Sequence, residues 1–188
     1  MAEHKLWDGA ALAWVPEGFD DVSRIRQVPD TQEVYCNADT DQCLIFELLE
    51  LAEDHPAGLP ALTYYAQDLS EANDSEISVP VAAESLKEHH PDDARYASRV
   101  SACVSGVSFQ RVAKFHDAGA NTLHVVLGLS RLPSVGTDVL ITLSTPTDIS
   151  PASSSAKTAR SLASPEAARA LMDRVMASFR IVDWSLFA

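Results

Sequence analysis

The sequence predicts an α+β protein, an α/β/α sandwich whose central sheet has six mostly antiparallel strands with helices on both faces. Three observations carry this. Residues 100–115, 122–132 and 139–143 are rich in β-branched and apolar residues, and the last two are separated only by Leu132-Pro133-Ser134-Val135-Gly136-Thr137, a turn too short for a helical crossover. Two further segments carry a helical period. The strands are continuous apolar runs rather than alternating ones, as expected where both sheet faces are covered.

The elements follow in order. Residues 10–15 are a short apolar run stopped by Pro16-Glu17-Gly18, a first strand and its turn. Asp21 or Ser23 is placed to cap a brief helical turn. Residues 28–51 read as a hairpin: Val34 to Cys36 alternates, Asn37-Ala38-Asp39-Thr40-Asp41 is turn chemistry, and 43–51 is an apolar run broken by Glu47 and Glu50. His55-Pro56-Ala57-Gly58 breaks the chain, and Pro60 suits the first turn of a helix running to about Ala72, with Leu62, Tyr65, Ala66 and Leu69 inward. Residues 73–100 give no clear pattern; Val79-Pro80-Val81 suits a sheet edge and His89-His90-Pro91-Asp92-Asp93 a solvated loop. Residues at about 145–163 are rich in Ser, Ala, Thr and Pro and read as a mobile surface loop. Ser164 then caps a helix with Pro165 at its first position and Glu166 at the positive end of its dipole. Ala168, Leu171, Met172, Val175, Met176 and Phe179 form its apolar face. Trp184, Leu186 and Phe187 are too apolar for water, so the tail is expected to pack on the body.

Length and composition narrow the function. The 188 residues suit one domain spanning 1–188, long enough to bury roughly 70% of its unfolded surface. No apolar run approaches the roughly 20 residues of a membrane span. The amino terminus lacks a secretory signal, so a nuclear and cytoplasmic location is expected. Cys36, Cys43 and Cys103 are an odd number and read as reduced thiols, with Cys36 and Cys43 placed to face each other across the hairpin. Net charge is −13, and residues 1–55 alone hold 13 acids against Lys5, Arg24 and Arg26, or −10. Such a field repels nucleic acid and anionic membrane and steers basic proteins.

Catalytic and cofactor signatures are missing from the sequence. There is no G-x-S-x-G elbow, no catalytic-cysteine pattern and no phosphate-cradling G-x-x-x-x-G-K-[ST] loop. Histidines at 4, 55, 89, 90, 116 and 124 lack metal-ligand spacing. No catalytic residue, cofactor or metal is therefore assigned, and a binding module is expected. The acids within the 43–51 run are the remaining candidates. On a helix Glu47 and Glu50 would share one face; on a regular strand they would face oppositely.

The same stretches carry a resemblance. VPDTQEVY at 28–35 with LIFELLEL at 44–51 resembles the signature of the Ran guanine nucleotide release factor family, the Mog-type nuclear import proteins. Leu6-Trp7-Asp8-Gly9-Ala10 is similar to that family's Leu-aromatic-Gly-Gly-Ala, with Asp8 in place of a glycine. Pro16 to Ser23 is similar to its Pro-Pro-Gly-Phe-x-Asp-x-Ser, and Arg131-Leu132, Thr137 to Leu140 and IVDWSLFA at 181–188 also match. At Tyr64-Tyr65-Ala66-Gln67-Asp68 the family has aromatic-His-x-Glu-Asp, so one carboxylate is lost. The resemblance implies a Mog/PsbP-like sandwich, the Ran GTPase as partner, and release of guanine nucleotide by binding rather than catalysis. It places the Ran surface on Glu47 and Glu50, with Asp21, Asp30 and Glu33 as further candidates from the matching segments. A monomer is expected. The rivals are a PsbP-like accessory protein for another partner and a hydrolase.

Overall fold

The long apolar runs pair as strands in the computed structural model, which describes residues 3–113 and 119–188. The first strands are β1 (Glu3–Leu6), β2 (Ala11–Trp14), β3 (Asp20–Asp21), β4 (Gln32–Asn37) and β5 (Gln42–Glu50). Helix α1 (Leu59–Ala72), β6 (Ile77–Val79), β7 (Lys87–Glu88) and the single-turn α2 (Ala94–Ala97) follow. Then come β8 (Ala102–Val112), β9 (Asn121–Leu132), β10 (Thr137–Asp148), α3 (Pro165–Ser178) and β11 (Arg180–Ile181). The expected strand end at 114–115 and His116 lie outside the described residues.

Among the described residues the main sheet has eight strands, not the six expected, in the order β3-β4-β5-β10-β9-β8-β6 with β7 also paired to β8. Every neighbouring pair is antiparallel. The additional strands β3, β6 and β7 are two or three residues long, too short to carry a period in sequence. Strand β2, expected in the central sheet, instead joins β1 and β11 in a separate three-stranded sheet. Residues 145–148, assigned to the loop from sequence, continue β10 and pair with β9. His89, expected in solvent, is buried.

Side-chain alternation divides the interior into two apolar clusters. Val125, Leu127 and Leu129 of β9 pack with Ala61, Leu62, Tyr65 and Ala66 of α1. Val126, between them in sequence, packs with Ala168, Met172, Val175 and Met176 of α3, together with Phe46, Ile141 and Phe179. Glycines let the helices approach. A Cβ at Gly128 would lie 2.3 Å from the Met176 sulfur, and one at Gly106 would lie 2.5 Å from Val81 Cγ1 and 3.3 Å from Leu62 Cδ1. Ser164 caps α3 by accepting from the Ala167 N–H at 3.1 Å, with Pro165 next. The tail docks as expected: a 3-10 turn, Trp184–Phe187, packs on the larger cluster, and the Arg99 guanidinium lies 4.3 Å from the Trp184 ring centroid.

Candidate functional site

The β4–β5 hairpin fixes where the candidate acids point. Residues 42–50 form a strand, and Leu44, Phe46 and Leu48 enter the α3-side cluster while Leu49 packs with the α1-side cluster. Alternation therefore sends Glu47 and Glu50 to opposite faces. Glu47 stands across from Gln32 on β4 and Leu140 on β10, and its Oε1 accepts from Gln32 Nε2 at 2.5 Å. Glu50 ends β5, exposed, opposite Thr137. Neither forms an ion pair among the described residues.

Asp21 and Glu33 share a second location. Asp21 pairs with Tyr35 in register; its Oδ1 accepts from the Ser23 N–H at 2.9 Å and the Ser23 hydroxyl at 2.6 Å, and its Oδ2 lies 3.6 Å from Arg24 Nε. Glu33 is half-buried, and its carboxylate accepts from the Trp7 N–H. Burial pushes the Glu33 carboxyl above its ordinary value; the Trp7 hydrogen bond opposes this, and the charges of Asp21 and Asp8 add to the rise. The bond closes an unusual turn, because Trp7, Asp8 and Gly9 all have left-handed backbones, at φ +47°, +55° and +95°. Asp8 occupies such a position where the family pattern has glycine, a substitution aspartate tolerates better than most residues. Asp30 is exposed in the turn before β4. The five acids thus occupy several places around one hairpin rather than one patch.

The residues that sequence reasoning missed surround Glu50. Glu50, Leu51, Ala52, Glu53, Asp54, His55, Tyr64 and Gly136 line an open concavity of about 420 Å³. The His55 and Tyr64 rings stack at 4.3 Å between centroids. A buried ion pair anchors this rim: Arg131 donates through Nε to Asp138 Oδ1 at 2.9 Å and through a terminal nitrogen to Oδ2 at 2.7 Å. Tyr65 donates to Asp138 Oδ2 at 2.7 Å. Arg131 also donates to the carbonyls of His55 at 2.7 Å and Ala52 at 3.3 Å, so segment 52–55 is tied to the sheet. The Asp138 carboxylate holds the guanidinium above its ordinary value, and burial of Tyr65, with Asp138 beside it, raises the phenol. The signal was present in Arg131 and Asp138, polar residues inside strand patterns, but their joint contact with 52–55 was not.

One Ser, His and Asp grouping bears on the hydrolase alternative. His89 Nε2 lies 2.8 Å from Ser105 Oγ and 3.9 Å from Asp173 Oδ1, so both partners face the same ring nitrogen. A nucleophile relay needs the serine on one nitrogen and the acid on the other. Among the described residues no group of three or more His, Cys, Asp or Glu is arranged to hold a metal ion. Among the same residues no helix is long and apolar enough to cross a membrane.

Comparison with known proteins adds a consistent picture. The family described as "Ran-interacting Mog1 protein" matches residues 4–146. The Ran guanine nucleotide release factor of Danio rerio is 34% identical over 151 residues, 80% of this chain and 81% of its own length. The Homo sapiens protein of the same description is 35% identical over 141 residues, 75% of this chain and 74% of its own. The nuclear import protein MOG1 of Saccharomyces cerevisiae is 30% identical over 201 residues, 99% of this chain and 84% of its own. The solved structure of the Saccharomyces cerevisiae Ran-binding protein Mog1p superposes with a TM-score of 0.70 at 27% identity, covering 100% of this chain and 98% of that one.

Proposed function

The chain belongs to the Ran-interacting Mog1 family, and on that premise we propose that it binds the GTPase Ran, promotes release of its guanine nucleotide and supports nuclear protein import. The observation that carries this reading is the family match across residues 4–146, which contains the whole β4–β5 hairpin and its acids. The protein acts by binding. To release nucleotide it must hold nucleotide-free Ran more tightly than loaded Ran, since equal affinity for both shifts nothing. Carboxylates suit that role, because they pair with basic groups on the GTPase and disfavour a neighbouring phosphate.

In this reading the Ran surface comprises Asp21, Asp30, Glu33, Glu47 and Glu50, and Glu50 brings the Glu53 and Asp54 rim with it. A partner that meets both Glu47 and Glu50 must reach around the end of β5. The protein works as one 1–188 domain, a sandwich with α1 and α3 on opposite sheet faces, monomeric, in nucleus and cytoplasm, without nucleic acid or membrane as a ligand. A stopped-flow assay of Ran loaded with fluorescent GDP or GTP tests this. Dissociation should accelerate in proportion to added protein, and Glu47→Lys with Glu50→Lys should weaken the effect by about tenfold or more, roughly 1.4 kcal/mol, while circular dichroism stays native. Unchanged nucleotide dissociation together with no detectable complex would sink the functional reading; intact affinity in the native double variant would sink only the site.

A further inference from the structure

Cys36 and Cys43 are the one pair of cysteines brought together, and the ladder explains how. The Leu48 N–H donates to the Thr31 carbonyl at 2.9 Å, which makes 31/48 a hydrogen-bonded rung and, by alternation, places 36/43 on a rung without backbone hydrogen bonds. On such rungs the Cα atoms approach to about 4.5 Å, within the range of roughly 4.4–6.8 Å that a disulfide spans. The two sulfurs lie 2.8 Å apart, and both residues are half-buried, within reach of a small solute. Cys103 provides the contrast. It is buried, its sulfur lies 3.5 Å from the Ser130 hydroxyl, and burial pushes its thiol above the ordinary value.

We propose that Cys36 and Cys43 are an oxidation site, a dithiol that closes to a cross-strand disulfide by exchange with a low-molecular-weight disulfide such as oxidised glutathione. One cysteine thiolate attacks a glutathione sulfur, breaking that S–S bond and releasing the first glutathione thiolate. The second cysteine, deprotonated, attacks the protein sulfur of the mixed disulfide and expels the second glutathione. Two protons pass from the cysteines, through solvent, to the two leaving thiolates. The protein loses two electrons and the small disulfide gains them. The ring closes around the 37–42 turn and fixes the register of the hairpin that carries Glu33 and Glu47. This holds whichever partner the hairpin meets.

The test is exchange of the folded, full-length protein with oxidised glutathione, followed by alkylation with N-ethylmaleimide in denaturant and mass spectrometry. The tryptic peptide 27–87 contains both Cys36 and Cys43, and peptide 100–111 contains Cys103. Peptide 27–87 should lose two hydrogens and take no alkyl group, while 100–111 is alkylated. Closure should be about tenfold or more faster in the folded than in the urea-unfolded chain, because the ladder holds the sulfurs in contact. In Cys36→Ser the remaining Cys43 should stop at the mixed glutathione disulfide. Stable glutathione adducts on both cysteines of the wild type, no reaction at either, or equal closure rates in folded and unfolded chains would each overturn the proposal.

Discussion

At the scale of single residues, Glu33 shows how a carboxylate can serve the fold at a cost. Its hydrogen bond closes the left-handed turn at Trp7 to Gly9, yet burial and the charges of Asp21 and Asp8 disfavour its ionised form. The folded chain therefore holds the Glu33 proton more tightly than the unfolded chain does. Linkage gives the sign: its contribution to stability is greatest below the ordinary value of 4.5, declines as pH rises through the elevated folded value, and is constant above. Glu33→Gln keeps an oxygen for the Trp7 N–H and removes the charge. Thermal unfolding should find the variant more stable than wild type at pH 7, with the advantage shrinking as pH falls towards 4.5. A lower melting temperature at pH 7 would mean that the charged form makes a favourable contact that outweighs its burial. Asp8 was legible as a departure from a glycine pattern; that its charge adds to the strain on Glu33 depends on a fold contact between residues 25 positions apart.

At the scale of elements, sequence reading succeeded where an element was long and periodic. Helix α3 announces itself by Ser164-Pro165-Glu166 and an apolar face, and β9 by an unbroken run, because such signals repeat over several turns or pleats. Strands β3, β7 and β11 have two residues each and exist only because a neighbour offers hydrogen bonds. The acidic Glu47-Leu48-Leu49-Glu50 motif was legible too, but its facing depended on whether 42–50 is a strand, and the concavity beside it depends on a contact across the sheet. That contact is the Arg131–Asp138 pair. Asp138 is fully buried, so Asp138→Asn leaves the guanidinium without its countercharge and should cost about 3–5 kcal/mol in urea unfolding. Tyr65→Phe removes one hydrogen bond to the charged group and should cost about 1–3 kcal/mol. If Asp138→Asn unfolds with wild-type stability, the pair is not what ties segment 52–55 to the sheet.

At the scale of the whole molecule, the two ends of the chain meet and the charge is unevenly spread. Val182 and Asp183 donate to the Ala10 carbonyl at 2.9 and 3.0 Å, Arg180 pairs with Glu3, and the half-buried Trp184, Leu186 and Phe187 cover the larger cluster. Full burial of such a side chain contributes about 1.5–3 kcal/mol, so deleting residues 184–188, with three half-buried ones, should lower stability by about 2–4 kcal/mol. For a chain of this length that is a fall in melting temperature of about 5–15 °C, with Ran binding by the folded fraction little changed. Unchanged melting with binding abolished would place the tail in the interface. Charge acts differently, on encounter rather than on the docked state. Thirteen acids against three basic residues in 1–55 give that part of the molecule most of its −13 field. Screening shortens the reach of that field to about 10 Å at 0.1 M salt and about 3 Å at 1 M. If the acids steer Ran, the association rate should fall by about tenfold or more between those two salts while the dissociation rate changes much less. Surface plasmon resonance with immobilised Ran separates the two rates. An association rate indifferent to salt would show that the acidic segment keeps the protein soluble without guiding its partner, and that docking depends on the short-range contacts of the hairpin alone.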